Sequence, residues 1–403
     1  FRSNNRNFNY EERREMIRLG TADLANVTVC EGSAYAISQA TFPTYFLKQL
    51  DKASENQIEL DLQIFARYLA PALGATVRFV GTEPFDPLTR RYNEMMTELL
   101  PKSGIEVVQI ERKELEEKPI SASRTRAFIE NNKLHAAMQL VPPTTQPYIM
   151  AKFAVDALQQ ELDTTPKPGL VDKDNSGAHT DMDYILMERS IKSLRPYFVR
   201  LAQLGLSADQ LTTADVQRIG IEAEAAMLRT THGVNTHRGA LFALGITVAA
   251  AMWLYAHEGQ EVRKERLQQL IQEIAAGFPP SADTHGAEVV AKARVKGARE
   301  NAVEGYPDLF ETWGPYYRKL REDPHRAHRT LLKIMSMLQD TNIYYRTDAE
   351  TAEIVRQSSG QLLQRFSVNS LREADAEFIR HNISPGGCAD MLSLTILINA
   401  ILR

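Results

Sequence analysis

Cysteine is almost missing from this chain: Cys30 and Cys388 are the two thiols in 403 residues. Two thiols cannot build a disulfide scaffold, so a hydrophobic core has to hold the fold, as expected of a protein in the reducing cytoplasm. An excess of one charge is missing too. Lys and Arg number 47 against 51 Asp and Glu, a net charge of -4, which gives no reason to expect a nucleic-acid partner. Long hydrophobic runs are scarce. The one example, Ala240–Ala256 (ALFALGITVAAAMWLYA), sits at the short edge of membrane-spanning length and reads as a buried helix of an all-helical core, with no membrane partner expected. The opening FRSNNRNFNYEERREM is polar and charged, unlike a signal peptide. No repeat of 20–50 residues and no low-complexity tract occurs.

What is present, 43% hydrophobic and 24% charged residues, is the composition of a globular protein long enough for two domains. The two halves differ in pattern. NVTVCEG (26–32), TVRFVGTEP (76–84) and GIEVVQIERK (104–113) have strand spacing. Between them QIELDLQIFARYLAPAL and RRYNEMMTELL have helical spacing. Strand, helix, strand at these intervals predicts an α/β domain with a parallel sheet and crossover helices. VPPTTQPYIM (141–150), with three prolines, punctuates the chain, so the expected domains are residues 1–146 and 147–403. After Ala151 nearly every segment is helical and no convincing strand follows, so the second domain is expected to be all-α. In the segment from Met182 to Gly205 the residues Met182, Ile185, Leu186, Ile191, Leu194, Phe198 and Leu201 form the predicted apolar stripe.

Four polar segments interrupt the helices of the second half. The densest is PKPGLVDKDNSGAHTDMD (166–183); TTHGVNTHRGA (230–240), DTNIYYR (340–346) and SPGGCAD (384–390) follow. Three of them stand at or near a predicted helix start, where free backbone N–H groups and the helix dipole favour anions. Gly386 and Gly387 would let backbone approach a phosphate closely, and Lys167 and Arg238 are suitable phosphate partners. Asp172, Asp181, Asp183, Glu222, Glu224 and Asp340 are hard oxygen ligands suited to Mg²⁺, which would bridge phosphates rather than sit in an all-protein cage. Taken singly, each segment has an ordinary explanation. Asp or Asn before a helix is usually a cap, lone histidines such as His232 and His257 are usually surface or core residues, and the DPHRAHR run around His325 and His328 reads as a solvated helix start. A Gly-Gly pair can be a tight turn. Four such segments between apolar helices are harder to explain as caps alone, and together they suggest a nucleoside triphosphate site in a helical bundle.

The ordered series KPGLVDKDNSGAHTDMD, GVNTHRGA, DTN with a downstream arginine, and SPGGCADML resembles the triphosphoribosyl-dephospho-CoA synthase family over roughly residues 151–403. The resemblance implies an all-helical enzyme. It would transfer the triphosphoribosyl part of ATP to a ribose hydroxyl of dephospho-CoA, release adenine, and so make the precursor of the citrate lyase prosthetic group. Breaking an N-glycosidic bond develops oxocarbenium character, which carboxylates near the ring can stabilise, and one group must take the hydroxyl proton. On this resemblance Asp172, His179 and Asp181 are catalytic, with Asp181 the expected base. Lys167, Asn175, Asn235, Thr236, His237, Arg238, Ser384, Gly386, Gly387 and Asp390 would hold ATP, and Asp181, Asp183, Glu224 and Asp340 would hold Mg²⁺. A Mg²⁺-dependent helical N-glycosidic hydrolase of ADP-ribosyl type and the equivalent synthase serving malonate decarboxylase are the alternatives.

In the first half ISASRTRAF (120–128) places Ser121 and Ser123 to cap a helix and Arg126 to reach an anion at the same end. With GSAYAISQATFPTYFLKQ (32–49) and RFVGTEPFDPLTRRYNEMM (78–96), this segment resembles the C-terminal part of citrate lyase ligase. That enzyme has a nucleotidylyltransferase fold and uses ATP to acetylate the prosthetic-group thiol. ISASRTR matches the second phosphate-binding signature of that superfamily. No HxGH element, which the superfamily needs at its α-phosphate, occurs in this sequence. The chain starts at Phe1 rather than Met, so it is read as a piece of a longer fusion or as carrying an incomplete first domain, and no adenylylation is expected from it. The citrate lyase acyl carrier protein is the expected partner; in a non-catalytic reading the first half only docks it.

Overall fold

A computed structural model describes residues 7–31, 52–259, 261–279 and 295–402. The motif at 32–49 lies outside the described residues. The chain divides into two compact units, Phe1–Arg126 and Ala127–Arg403.

In the first unit, helix α1 (Tyr10–Gly20) begins with a capping box in which Asn9 and Glu12 satisfy each other's backbone N–H. Helix α2 (Lys52–Ile64) continues through a π-helical turn, Phe65–Leu69, to a last turn, Ala70–Leu73, stopped by Gly74 in the left-handed conformation. Strand β1 (Val77–Gly81), helix α3 (Pro87–Leu99) and strand β2 (Glu106–Ile110) form a parallel crossover, with Val77 opposite Glu106 and Gly81 opposite Ile110. Asp86 caps α3 and Pro87 occupies its first turn, the preferred chemistry for a helix start. Ile58, Leu62, Leu88, Tyr92, Met96 and Leu100 form the core between α2 and α3. A short hairpin, β3 (Glu114–Leu115) with β4 (Lys118–Pro119), precedes helix α4 (Ala122–Glu130).

The expected strands at 76–84 and 104–113 are therefore present and parallel. The one expected over 26–32 is not: Val27–Cys30 lie in irregular chain outside both sheets. Two apolar residues at alternate positions are too short a signal to define a strand.

The second unit is helical. Its elements are α5 (Leu134–Gln139), α6 (Gln146–Asp163), α7 (Tyr184–Ser207), α8 (Thr213–Thr230), α9 (Arg238–His257), α10 (Lys264–Ala276), α11 (Ala298–Val303), α12 (Gly314–Lys319), α13 (Arg326–Met335), α14 (Thr341–Arg346), α15 (Ala349–Gln364), α16 (Val368–Arg380) and α17 (Gly386–Ile401). Among the described residues, no strand follows Pro119.

Helix α9 is apolar on all sides because it is central: α6, α7, α8, α10 and α17 all pack on it. It is long and apolar enough to cross a membrane, but 78% of its apolar window is buried inside the protein. Gly205 of α7 lies against the α9 backbone, where a Cβ would come within 2.9 Å of Met252 Cβ, so the absence of a side chain sets how closely these helices approach. On α7 the buried stripe is Ile191, Leu194, Phe198 and Leu201, whereas Ile185 is 58% exposed. The fully buried stripe begins later than the sequence pattern suggests, because the first turn of α7 borders a cavity, with Leu186 and Met187 half-buried.

Candidate active site

Each of the four polar segments contains or adjoins a helix start. Asp183 caps α7, His237 precedes α9, Asp340 caps α14 and Pro385 precedes α17. Packing brings these four starts around one cavity of about 150 Å³. Lys167 and His179 from the first segment, Asn235, Thr236, His237 and Arg238 from the second, and Ser384, Gly386 and Asp390 from the fourth line it. Asn342 and Arg346 complete the wall from the third.

Two aspartates shape the first segment. Asp172 is 1% exposed, and its carboxylate accepts backbone N–H bonds from Lys167 (2.8 Å), Asp174 (2.8 Å) and Asn175 (3.2 Å). Burial raises its pKa while those three donors oppose the rise. Asp375 of α16 accepts from Gly169 N–H at 2.9 Å and from Asn175 Nδ2 at 2.8 Å. Gly169 has φ +69° and its missing Cβ would run into the Ile383 carbonyl, so no other residue fits this turn. The loop is thus tied at both ends to elements distant in sequence. Asp172 and Asn175, expected in chemistry or at ATP, spend their polar atoms on this framework.

Lys167 is almost fully buried and its ammonium is held by the equally buried Glu161 of α6. Such a pair tolerates the loss of neither partner, because the survivor would be an uncompensated buried charge. His237 is 4% exposed. Its Nδ1 lies 2.8 Å from Ser190 Oγ, which in turn lies 2.6 Å from Thr236 Oγ1. Burial, and then the nearby Lys167 charge, push its pKa down to about 3, so the ring is neutral. His179 sits with Nε2 at 2.8 Å from Ser384 Oγ and Nδ1 at 3.7 Å from Asp181 Oδ1. Burial lowers its pKa and the Arg346 charge adds to this. Arg346 donates to the Ala178 carbonyl and, at 2.6 Å, to Asn382 Oδ1, which fixes the guanidinium at the cavity wall. Asp390 is pushed well above the usual carboxylate range by burial, with the Asp340 and Glu161 charges adding to it, while it accepts the Ala240 N–H at the start of α9.

The expected Mg²⁺ set is not assembled. Asp183 accepts from Leu186 N–H at 2.8 Å, Glu224 pairs with Arg238 at 2.5 Å, and Asp340 accepts from Cys388 N–H at 2.8 Å and Asn342 N–H at 2.9 Å. Asp181 stays exposed beside His179. Among the described residues no group of three or more His, Cys, Asp or Glu side chains is placed to hold a metal ion. Three of the four are helix caps or ion-pair partners, a use that spacing alone does not distinguish from ligation.

Sequence reasoning missed Glu161 and Ser393 and gave no individual role to Asn342 and Arg346 of the third segment, yet all four line the cavity. Glu161 had a signal, a carboxylate on the otherwise apolar face of α6 that carries Met150, Ala154, Ala157 and Leu158. Asn342 and Arg346 had another, since four residues apart on a helix they share a face. Gly387 lies beside the wall, where a Cβ would stand 3.1 Å from the Asp340 carboxylate. Ser121, Ser123 and Arg126 belong to the first unit. Ser121 Oγ accepts Arg124 N–H at 3.1 Å at the start of α4, and Arg126 donates to Ser123 Oγ at 3.1 Å.

Comparison with known proteins also divides the chain in two, with the boundary near residue 148 rather than after Arg126. Residues 148–403 match the family model of ATP:dephospho-CoA triphosphoribosyl transferase. The chain belongs to the ATP:dephospho-CoA triphosphoribosyl transferase family. Residues 1–149 match the citrate lyase ligase C-terminal domain. Similar proteins include a "Probable 2-(5''-triphosphoribosyl)-3'-dephosphocoenzyme-A synthase" of Pseudomonas fluorescens, 37% identical over 288 residues that cover 66% of this chain and 96% of that protein. One of the same name from Azotobacter vinelandii is 35% identical, covering 66% and 96%. The 2-(5''-triphosphoribosyl)-3'-dephosphocoenzyme-A synthase of Klebsiella pneumoniae is 34% identical, covering 62% and 94%. No solved structure matches the chain significantly. Membership of the transferase family supports synthase activity in the helical unit, and that unit holds the cavity lined by all four polar segments.

Proposed function

We propose that the helical unit transfers the triphosphoribosyl group of ATP to dephospho-CoA and releases adenine. The observation that carries this is the convergence of all four family-like segments on one cavity. In the reaction the bond between the ribose anomeric carbon and the adenine nitrogen breaks, and the acceptor hydroxyl oxygen bonds to that carbon. The hydroxyl proton passes to a base, and the departing adenine nitrogen takes up a proton, so that the two transfers sum to no net proton release. His179 is the best-placed base, because it is neutral near neutral pH, lines the cavity, and has Asp181 on its far nitrogen. Asp181 would stabilise the imidazolium that forms. Arg238, Arg346 and the N-terminus of α17 at Gly386 and Gly387 would hold the triphosphate. Lys167 would neutralise Glu161 beneath the site. Mg²⁺ would enter with ATP as part of the substrate.

Incubation with ATP, Mg²⁺ and dephospho-CoA, followed by chromatography, should show free adenine. Its absence would sink the proposal. Adenine appearing equally without dephospho-CoA would favour the ADP-ribosyl type of hydrolase instead. For the first unit we infer a nucleotidylyltransferase-like ancestry, with the α4 start as its phosphate turn and the citrate lyase acyl carrier protein as partner.

A further inference from the structure

We propose that the end of the cavity bounded by Leu158, Met187 and His237 holds the purine base of ATP, and that His237 Nε2 hydrogen-bonds an atom of the purine edge. The inference rests on the ATP reading above and divides that site into two ends.

The first end is built from α6 and α7. Leu158 lies one turn before Glu161, which holds Lys167, and Met187 lies one turn before Ser190, which holds His237 Nδ1. The Lys167 charge acts on His237, so these residues are neighbours. The other end is built from α14 and the N-terminus of α17. Ser384 meets His179 there, Arg346 is anchored to the Ala178 and Asn382 carbonyls, and Gly386 lies against Asn342. A fixed guanidinium and a helix N-terminus of sixteen residues suit a triphosphate.

His237 does not suit one. Its buried ring is neutral, and its orientation is set by the Ser190 and Thr236 hydroxyls. Its Nε2 is buried with no hydrogen-bond partner in the protein although the residue lines the cavity. A buried polar atom without a partner is rare, and here a bound ligand can supply one. A neutral imidazole in a fixed direction reads a neutral polar edge. Leu158 and the soft Met187 side chain offer apolar contact to the faces of a flat ring. A purine meets both demands; a phosphate meets neither.

The test measures binding of ATP and of analogues lacking N1, N3, N7 or the 6-amino group one at a time, with inorganic tripolyphosphate as a probe of the other end. For the wild-type protein one analogue should bind about tenfold more weakly than ATP, while the rest bind like ATP. In His237→Ala, and more mildly in Ser190→Ala, that discrimination should shrink while tripolyphosphate affinity holds. Wild-type protein that binds ATP but treats all four analogues alike overturns the proposal. So does His237→Ala that keeps full discrimination. Failure of the wild type to bind ATP or release adenine instead overturns the underlying ATP reading.

Discussion

His179 Nε2 lies 2.8 Å from Ser384 Oγ, across 205 positions of sequence. This bond joins the first polar segment to the last and places an imidazole at the mouth of α17. Arg346 stands close enough to lower the pKa of that imidazole, so the ring is held neutral beside a cationic wall. A group in that state can accept a proton at neutral pH.

If His179 is the base, the acidic limb of the kcat/KM profile should fall below pH 6.5, the ordinary imidazole value. Arg346→Gln removes a positive charge that disfavours protonation, so the limb should move up toward that value. His179→Ala should lower kcat by about a hundredfold or more. A limb that stays in place in Arg346→Gln would assign it to another group.

Stability should also depend on His237. Its pKa falls from 6.5 in the unfolded chain to about 3 in the folded one. The unfolded state therefore binds the extra proton, and stability present above pH 6.5 is lost progressively as pH falls toward 3. At pH 5 the loss from this one residue should be about 2 kcal/mol relative to pH 7. Denaturant melts at the two pH values should show that loss, and His237→Gln should show markedly less of it.

The loop framework predicts a second kind of defect. Asp375→Ala leaves the Gly169 N–H and the Asn175 amide without their acceptor, which should cost about 1–3 kcal/mol. Gly169→Ala forces a Cβ into the Ile383 carbonyl at φ +69° and should cost at least about 1 kcal/mol. Both should raise the KM for ATP through a disordered wall. Denaturant midpoints together with steady-state kinetics would check this, and unchanged midpoints would remove the framework role.

Mg²⁺ alone should not stabilise the protein, because the candidate carboxylates are already capping helices or paired. Mg²⁺ with ATP should raise Tm, and ATP with a chelator should raise it less. Thermal melts under the three conditions decide the point. A shift with Mg²⁺ alone would mean that the apo protein holds the ion itself.

Much of this was legible in the sequence. Helical periodicity marked α7, α9 and α17, the β-rich runs marked β1 and β2, and prolines and glycines marked the breaks, because these depend on local backbone and side-chain preference. Residue order also revealed the four polar segments. Tertiary packing decided the rest. An aspartate before a helix looks the same whether it caps, ligates or takes a proton; only the contacts show that Asp183 and Asp340 cap and that Asp172 braces a loop. Glu161, Asn342 and Arg346 joined the site because α6, α14 and α17 close on one cavity. The closing of separate helices on one cavity is a tertiary event, and no local preference encodes it.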